Sequence, residues 1–154
     1  MSGSIPVDGD DVEIMSGWNM LLDIPETPKL NSLSINGRLA FIQREETPSI
    51  HVFTNNIFVR AGELLIGTAE EPFLGSATIT LTGDTESDTV NLGGTVEGGN
   101  KILAITNHVA IYGKPRTTMS RLLVSVYRDT DQIIVDPEVD WEAGDQIYLA
   151  PTNM

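Results

Sequence analysis

The sequence predicts an all-β chain on three observations. Apolar and polar residues alternate in short runs, each run stops at Gly, Asn or Asp, and no stretch carries a helical period. Leu33, Ile35, Leu39 and Phe41 share one parity around Asn36-Gly37. Ile57 and Val59 precede Ala61-Gly62, and Leu64 and Ile66 follow it. Ala77, Ile79 and Leu81 alternate up to Gly83, Leu122, Val124 and Val126 up to Arg128-Asp129, and Ile147 and Leu149 close the series. A single helical turn is allowed around Pro72-Phe73-Leu74-Gly75. From Gly83 to Gly99 the acidic residues Asp84, Glu86 and Asp88 and two glycine pairs leave only Val90, Leu92 and Val96 to bury. That composition reads as a long exposed loop rather than a domain boundary, because alternation resumes at Ile102.

The arrangement of the strands follows from spacing. Three units, Leu33 to Phe41, Ile57 to Ile66 and Leu103 to Ile111, share one form: alternating apolar residues, a small turn with Gly or Asn, then alternation again. Asn36-Gly37 is by itself a hairpin signal, which keeps a β-sandwich as the alternative. Gly17, Gly37, Gly62 and Gly83 recur at roughly 20 to 25 residues, the length of one coil of a parallel β-helix. The expected fold is a short right-handed parallel β-helix, a β-solenoid-like stack with some antiparallel strands. Gly37 and Gly62 are expected to hold turns with positive φ. Gly9-Asp10 and Gly144-Asp145 each precede an alternating run, with the Asp placed to bond a nearby backbone N–H.

Composition bounds the function. The 154 residues fit one domain, and 22 acidic against 9 basic groups give a net charge of −13. Such a surface repels nucleic acid and anionic membrane, and reads as a solvating face. The absence of cysteine removes disulfides, thiolate catalysis and sulfur-bound zinc. No apolar run has membrane-spanning length, so no direct membrane insertion is expected. Met1-Ser-Gly-Ser4 lacks the features of a signal peptide, and no Asn-x-Ser/Thr acceptor occurs. If the protein is secreted, its signal is expected outside this chain or removed.

No motif carries catalysis. His51 and His108, the two histidines, sit in alternating runs unlinked to any serine or carboxylate motif, and are expected as strand residues. Asp8, Asp10 and Asp11, then Asp84, Glu86 and Asp88, then Asp129 and Asp131 offer hard oxygen ligands of the kind calcium takes. None follows an EF-hand pattern, and turn carboxylates capping their own backbone are the expected reading. Trp18 and Trp141 follow apolar alternation and are expected in the core rather than as sugar platforms. Catalytic, cofactor-binding and metal-binding residues are therefore none.

The glycines carry a resemblance. Pro6-x-x-Gly9-Asp10-x-Val12-x-Ile14-x-x-Gly17 is followed by Leu33-x-Ile35-x-Gly37-x-Leu39-x-Phe41 and Ile57-x-Val59-x-x-Gly62-x-Leu64-x-Ile66-Gly67. Then come Pro72, Ile79-x-Leu81-x-Gly83, Lys101-x-Leu103 and Tyr112-Gly113. In this order they resemble the eight-glycine, or G-eight, domain over residues 6–119. The segment 120–154, with Val139-x-Trp141-x-x-Gly144-Asp145-x-Ile147-x-Leu149, resembles the β segment that leads on into a longer β-helix in that family. The family pattern has a tryptophan where this chain has Thr118-Met119-Ser120, and Met119 is expected to fill that apolar site.

The resemblance implies extracellular or cell-surface placement, in large proteins of the fibrocystin-like and hyaluronan-binding kinds, with no catalytic residues of its own. The chain is expected to be a non-catalytic structural or recognition module, one domain over 1–154, in a fragment or a short family member. Its expected partner is a neighbouring β-helix domain or an identical subunit, met end to end, with an extracellular glycan as a further candidate. The alternatives are a fragment of an extracellular carbohydrate-active, hyaluronan-type enzyme and a calcium-dependent adhesion module. Because the basic residues are dispersed, the isolated chain is expected neither to cleave hyaluronan nor to bind it tightly.

Overall fold

Short alternating runs punctuated by glycine become strands because each must bury one face and then turn. The computed structural model describes residues 5–150, which contain strands and no helix. In chain order the strands are β1 (Asp11–Ile14), β2 (Asn19–Leu22), β3 (Glu26–Ile35), β4 (Arg38–Phe41), β5 (Ser49–Val59) and β6 (Glu63–Ile66). They continue with β7 (Ser76–Leu81), β8 (Asn91–Gly93), β9 (Val96–Glu97), β10 (Leu103–Ile105) and β11 (His108–Ile111). No helix among the described residues is long and apolar enough to cross a membrane, which says nothing about a β-barrel. The chain divides into two compact units, Met1–Lys114 and Pro115–Met154.

In the first unit the chain alternates between two parallel sheets. One has the order β1-β3-β5-β10, with β7 also on β5, and the other the order β11-β6-β4-β2. Asn36-Gly37 closes no hairpin, since β3 and β4 lie in different sheets. Each pass through both sheets is a rung: β1 with β2, β3 with β4, β5 with β6, and a fourth closed by β11. The fourth rung is split, because β7 pairs with Ser49–Thr54 and β10 with Ile57–Val59 of the same strand. The chain between them leaves the sheet as an arm, which carries the small antiparallel pair β8-β9.

Between the sheets lies the core. Ile14, Leu33, Ile35, Ile57 and Val59 meet Leu39, Phe41, Leu64 and Ile66, with Leu30, Ile50, Val52 and Phe73 extending the cluster. Leu33, Ile35, Leu39, Phe41, Ile57, Val59, Leu64 and Ile66 are the positions that alternation marked, whereas Leu30, Ile50, Val52 and Phe73 were not among them. Alternation slips once per rung, between Leu30 and Leu33 and between Thr54 and Ile57, and polar residues fill the gap. Thr54 is fully buried, and its hydroxyl donates to the Asn56 carbonyl at 2.9 Å.

Gly37 and Gly62 depart from expectation, since neither has positive φ. Each turns the chain where one rung lies directly on the next. A Cβ on Gly62 would overlap the Gly37 carbonyl, and one on Gly37 the Met15 carbonyl. Gly17, at φ 82°, does need glycine for its backbone conformation. Gly83 does not continue this corner. It sits at the mouth of the arm against the carbonyls of Asn55 and Asn100. The fourth corner is Thr106-Asn107, where Asn107 Nδ2 donates to the carbonyls of Ala61 and Gly62, each at 3.0 Å.

The arm is not the freely exposed loop its composition implied. Val90 returns to the outer face of the first sheet and is buried with Phe58 and Ala104, flanked by Leu92 and Ile102. Nor does Pro72–Gly75 form a helical turn. Phe73 instead makes a parallel bridge to Gly113.

The second unit has a different texture. Leu122 and Val135 form one antiparallel bridge, and Leu123 N–H donates to the Ile134 carbonyl at 2.9 Å. The runs at 122–126 and 147–149 alternate as strands do but form none, since a strand requires a continuous neighbour and only one bridge is present. Thr117 N–H donates to Asp140 Oδ1 at 2.7 Å, and the indole N–H of Trp141 donates to the Thr117 carbonyl at 2.6 Å. Arg116 faces Asp140, Glu142 and Asp145. Met119 does not fill an apolar site: it is 84% exposed.

Candidate functional site

Parallel strands in register set their outward side chains in columns. Across β1, β3 and β5 the first column is Asp11, Ser32 and Asn56, and the second is Glu13, Ser34 and Phe58. Asn36 and Arg60 extend the same face beyond the ends of β3 and β5. The arm residues Asp88 to Asn91 stand beside this floor and turn it into a groove of about 420 Å³. Two core positions underlie the wall, for Val90 rests on Phe58 and fixes where the arm stands.

A polar ladder orders the floor. Asn31 Nδ2 donates to Asp11 Oδ1 at 2.9 Å, Asn55 Nδ2 to Asn31 Oδ1 at 3.0 Å, and the Thr82 hydroxyl to Asn55 Oδ1 at 2.9 Å. One amide per rung thus passes a hydrogen bond to the rung below. Ser32 Oγ also donates to Asp11 Oδ1 at 2.6 Å, and Asn36 Nδ2 to Glu13 Oε1 at 2.6 Å. These bonds hold Asp11 and Glu13 as oriented acceptors.

Of the acidic residues marked in the sequence, Asp11 and Asp88 line this groove; the other marked residues lie elsewhere. His51 is half-buried, stacks on Phe53 with ring centroids 3.8 Å apart and bonds the Thr80 hydroxyl at 2.7 Å, while His108 is exposed at the start of β11. Both are strand residues, as expected. Asp10, Asp84 and Asp145 cap local turns, whereas Asp8 bonds across to the start of the second rung. Asp8 accepts from Lys29 N–H, Asp10 from Val7 N–H and Asp145 from Glu142 N–H. Asp84 accepts from the Ser87 hydroxyl and from the N–H groups of Glu86 and Ser87. Those bonds, the Ser87 hydroxyl first, hold its carboxyl below the usual carboxylate range. Among the described residues no group of three or more His, Asp or Glu is placed to hold a metal ion.

Trp18 is not core. It is 42% exposed and directly precedes β2, an end strand of its sheet. Trp141 is half-buried. Sequence reasoning missed the groove, because Ser32, Ser34, Asn36, Asn56 and Arg60 look like ordinary outward strand residues. The register that sets Ser32 beside Asn56 and Ser34 beside Phe58 repeats no residue, so the sequence carries no signal for it.

The glycine corners and their order along the chain are the features by which a family can be recognised. The profile of the G8 domain matches residues 1–123. The chain belongs to the G8 domain family. It is 32% identical over 149 residues to fibrocystin of Mus musculus and to fibrocystin of Canis lupus familiaris, covering 94% of this chain and 3% of each of those proteins. Over 153 residues it is 32% identical to Fibrocystin-L of Homo sapiens, covering 97% of this chain and 3% of that protein. The chain therefore spans a small fraction of the length of the relatives it matches. No solved structure matches it. In this G8 domain the glycines at Gly37 and Gly62 mark backbone stacking, and the groove lies on the face that stacking aligns.

Proposed function

We propose that this G8 domain is a non-catalytic structural and recognition module of a large extracellular or cell-surface protein. Its two parallel sheets form a β-helical stack that meets a neighbouring β-helix domain, or an identical subunit, end to end. One observation carries the reading: the first rung closes both sheets on the same side. β1 and β2 are the terminal strands of their sheets, and Trp18, Met20 and Leu21 beside them are 42%, 39% and 51% exposed. A sheet edge offers unpaired N–H and C=O groups, and with apolar side chains it is a surface made for another strand. In the second unit Leu123, Val124, Ile147 and Leu149 are likewise exposed.

The non-catalytic reading is supported by the groove itself. Hydrogen bonds from Asn31, Ser32 and Asn36 hold Asp11 and Glu13, and neither histidine lines it. Sedimentation velocity over a wide concentration range tests stacking on an identical subunit: self-association is expected, and Leu21→Glu should abolish it while Leu74→Glu, on a residue outside both edge strands, should not. A chain monomeric at every concentration rejects that partner. Incubation with size-defined hyaluronan, with and without calcium, tests the module against the enzyme fragment. Polymer size should stay constant.

A further inference from the structure

We infer that the groove between the outer face of β1, β3 and β5 and the arm at Asp88–Asn91 binds a neutral oligosaccharide, with the Asn56 amide as its central contact. The inference does not depend on end-to-end stacking.

Asn56 supplies the first argument. It is 6% exposed and lines the groove, and its side chain makes no hydrogen bond to another described residue. Its amide is not among the buried side-chain atoms that lack a partner, so it reaches solvent in the groove and stands open to a ligand hydroxyl. Its neighbours in the ladder show the contrast, since Asn31 and Asn55 are both bonded on the adjacent rungs.

The lining selects the ligand class. Its exposed chemistry is hydroxyl, amide and carboxylate: Ser34, Asn56, Thr89, Asp11, Glu13 and Arg60. The apolar members, Phe58 and Val90, are 7% and 9% exposed, because they are spent on each other. A peptide would find no apolar anchor, and the β3 and β5 backbone is already paired on both sides. Asp11, Glu13 and Asp88 outnumber Arg60, so an anionic ligand is repelled. What remains is a ligand that gains its affinity from many uncharged groups, each able to donate and accept. Sugar hydroxyls do both, donating to the fixed carboxylates and accepting from the amide and guanidinium. The volume of about 420 Å³ lies in the range of small-ligand sites. Residues about 4.8 Å apart within each column, and columns about 6.6 Å apart along the strands, give contact points on the scale of a sugar ring.

The arm supplies the second argument. It interrupts the fourth rung at the cost of a continuous strand, and Val90 then ties it over the floor. Without the arm the face would be flat.

The test is amide-resolved NMR titration of the full chain with maltotriose, mannotriose and N,N′,N″-triacetylchitotriose, beside a hyaluronan tetrasaccharide. At least one neutral trisaccharide should shift Ser34, the Asn56 side-chain amide, Arg60 and Thr89 together, saturating in the millimolar range. Asn56→Ala should weaken that binding at least tenfold. Ser34→Tyr, an outward substitution that fills the groove, should abolish it with the core resonances unmoved. Arg60→Gln, on an exposed residue, should weaken it severalfold, which keeps the test valid if Asn56→Ala folds poorly. No shift with any neutral trisaccharide overturns the inference. So does binding that Ser34→Tyr leaves intact, or binding of the anionic tetrasaccharide alone.

Discussion

Gly62 lies on the carbonyl of Gly37 so closely that no side-chain carbon fits between them. The overlapped atom is backbone, and Glu63 N–H donates to that same carbonyl at 2.8 Å, so the contact is part of the ladder. Gly62→Ala must therefore push two rungs apart rather than displace a flexible side chain. The expected loss is about 3 kcal/mol or more, a fall of roughly 10 °C in melting temperature. Gly93→Ala is the comparison: Gly93 has φ 120° but open space around it, so its cost should stay near about 1 kcal/mol. Thermal denaturation followed by circular dichroism orders the two. If Gly93→Ala is the more damaging, backbone stacking is not what Gly62 is for.

That contrast shows how much the sequence disclosed. Alternation identified Leu33, Ile35, Leu39, Phe41, Ile57, Val59, Leu64 and Ile66 as inward because period two is a local property of a pleated strand, but missed Leu30, Ile50 and Val52 beyond the polar slips in β3 and β5. The glycines announced the corners, but their reason, close approach rather than positive φ, depends on a rung some 25 residues away. Gly83 had the right spacing and the wrong place, since spacing alone does not register that the arm splits the fourth rung. The groove was illegible for a related reason. Asn56 reads as one more outward polar residue until Ser32 is set beside it and the arm beside both. Trp18 misled because apolar alternation implies burial, whereas Trp18 precedes an end strand of its sheet and is 42% exposed.

Asn55 connects three rungs, donating to Asn31 Oδ1 and accepting from Thr82. Asn55→Asp replaces the donor by an oxygen that faces the Asn31 oxygen. At neutral pH that substitution should cost about 2 kcal/mol, more than Asn55→Ala. Below the carboxyl's pKa the protonated side chain can donate again, so the penalty should shrink on acidification. Urea unfolding of both variants at neutral and at acidic pH measures this. A penalty for Asn55→Asp that is independent of pH would refute the ladder as an energetic unit.

Val90 is the tie of the arm, and its cluster with Phe58 and Ala104 is separate from the main core. Val90→Ser should therefore free the arm without unfolding the sheets. Limited proteolysis should cut between Asp84 and Gly99 many times faster than in the parent chain, while amide exchange in β3 and β5 stays slow. Simultaneous loss of protection in β5 would show that arm and sheet unfold as one.

In the second unit Asp140 accepts from Thr117 N–H at 2.7 Å, and Arg116 stands 3.5 Å away. The Thr117 bond, more than the guanidinium, holds its carboxyl below the usual carboxylate range. The sign of the pH dependence follows. A carboxyl whose pKa is lower in the folded state contributes stability above its unfolded pKa, about 3.9, and loses it as pH falls through the depressed value. Trp141 reports on the site directly, because its indole N–H bonds the Thr117 carbonyl. In a Trp18→Phe background, Trp141 emission should hold steady from neutral pH down to about pH 4 and shift toward that of exposed indole below it. Asp140→Asn keeps an acceptor for Thr117 but cannot ionise, so its emission should change less across the same acidic range. If the parent and Asp140→Asn titrate identically, ionisation of Asp140 does not govern the acid sensitivity of this unit.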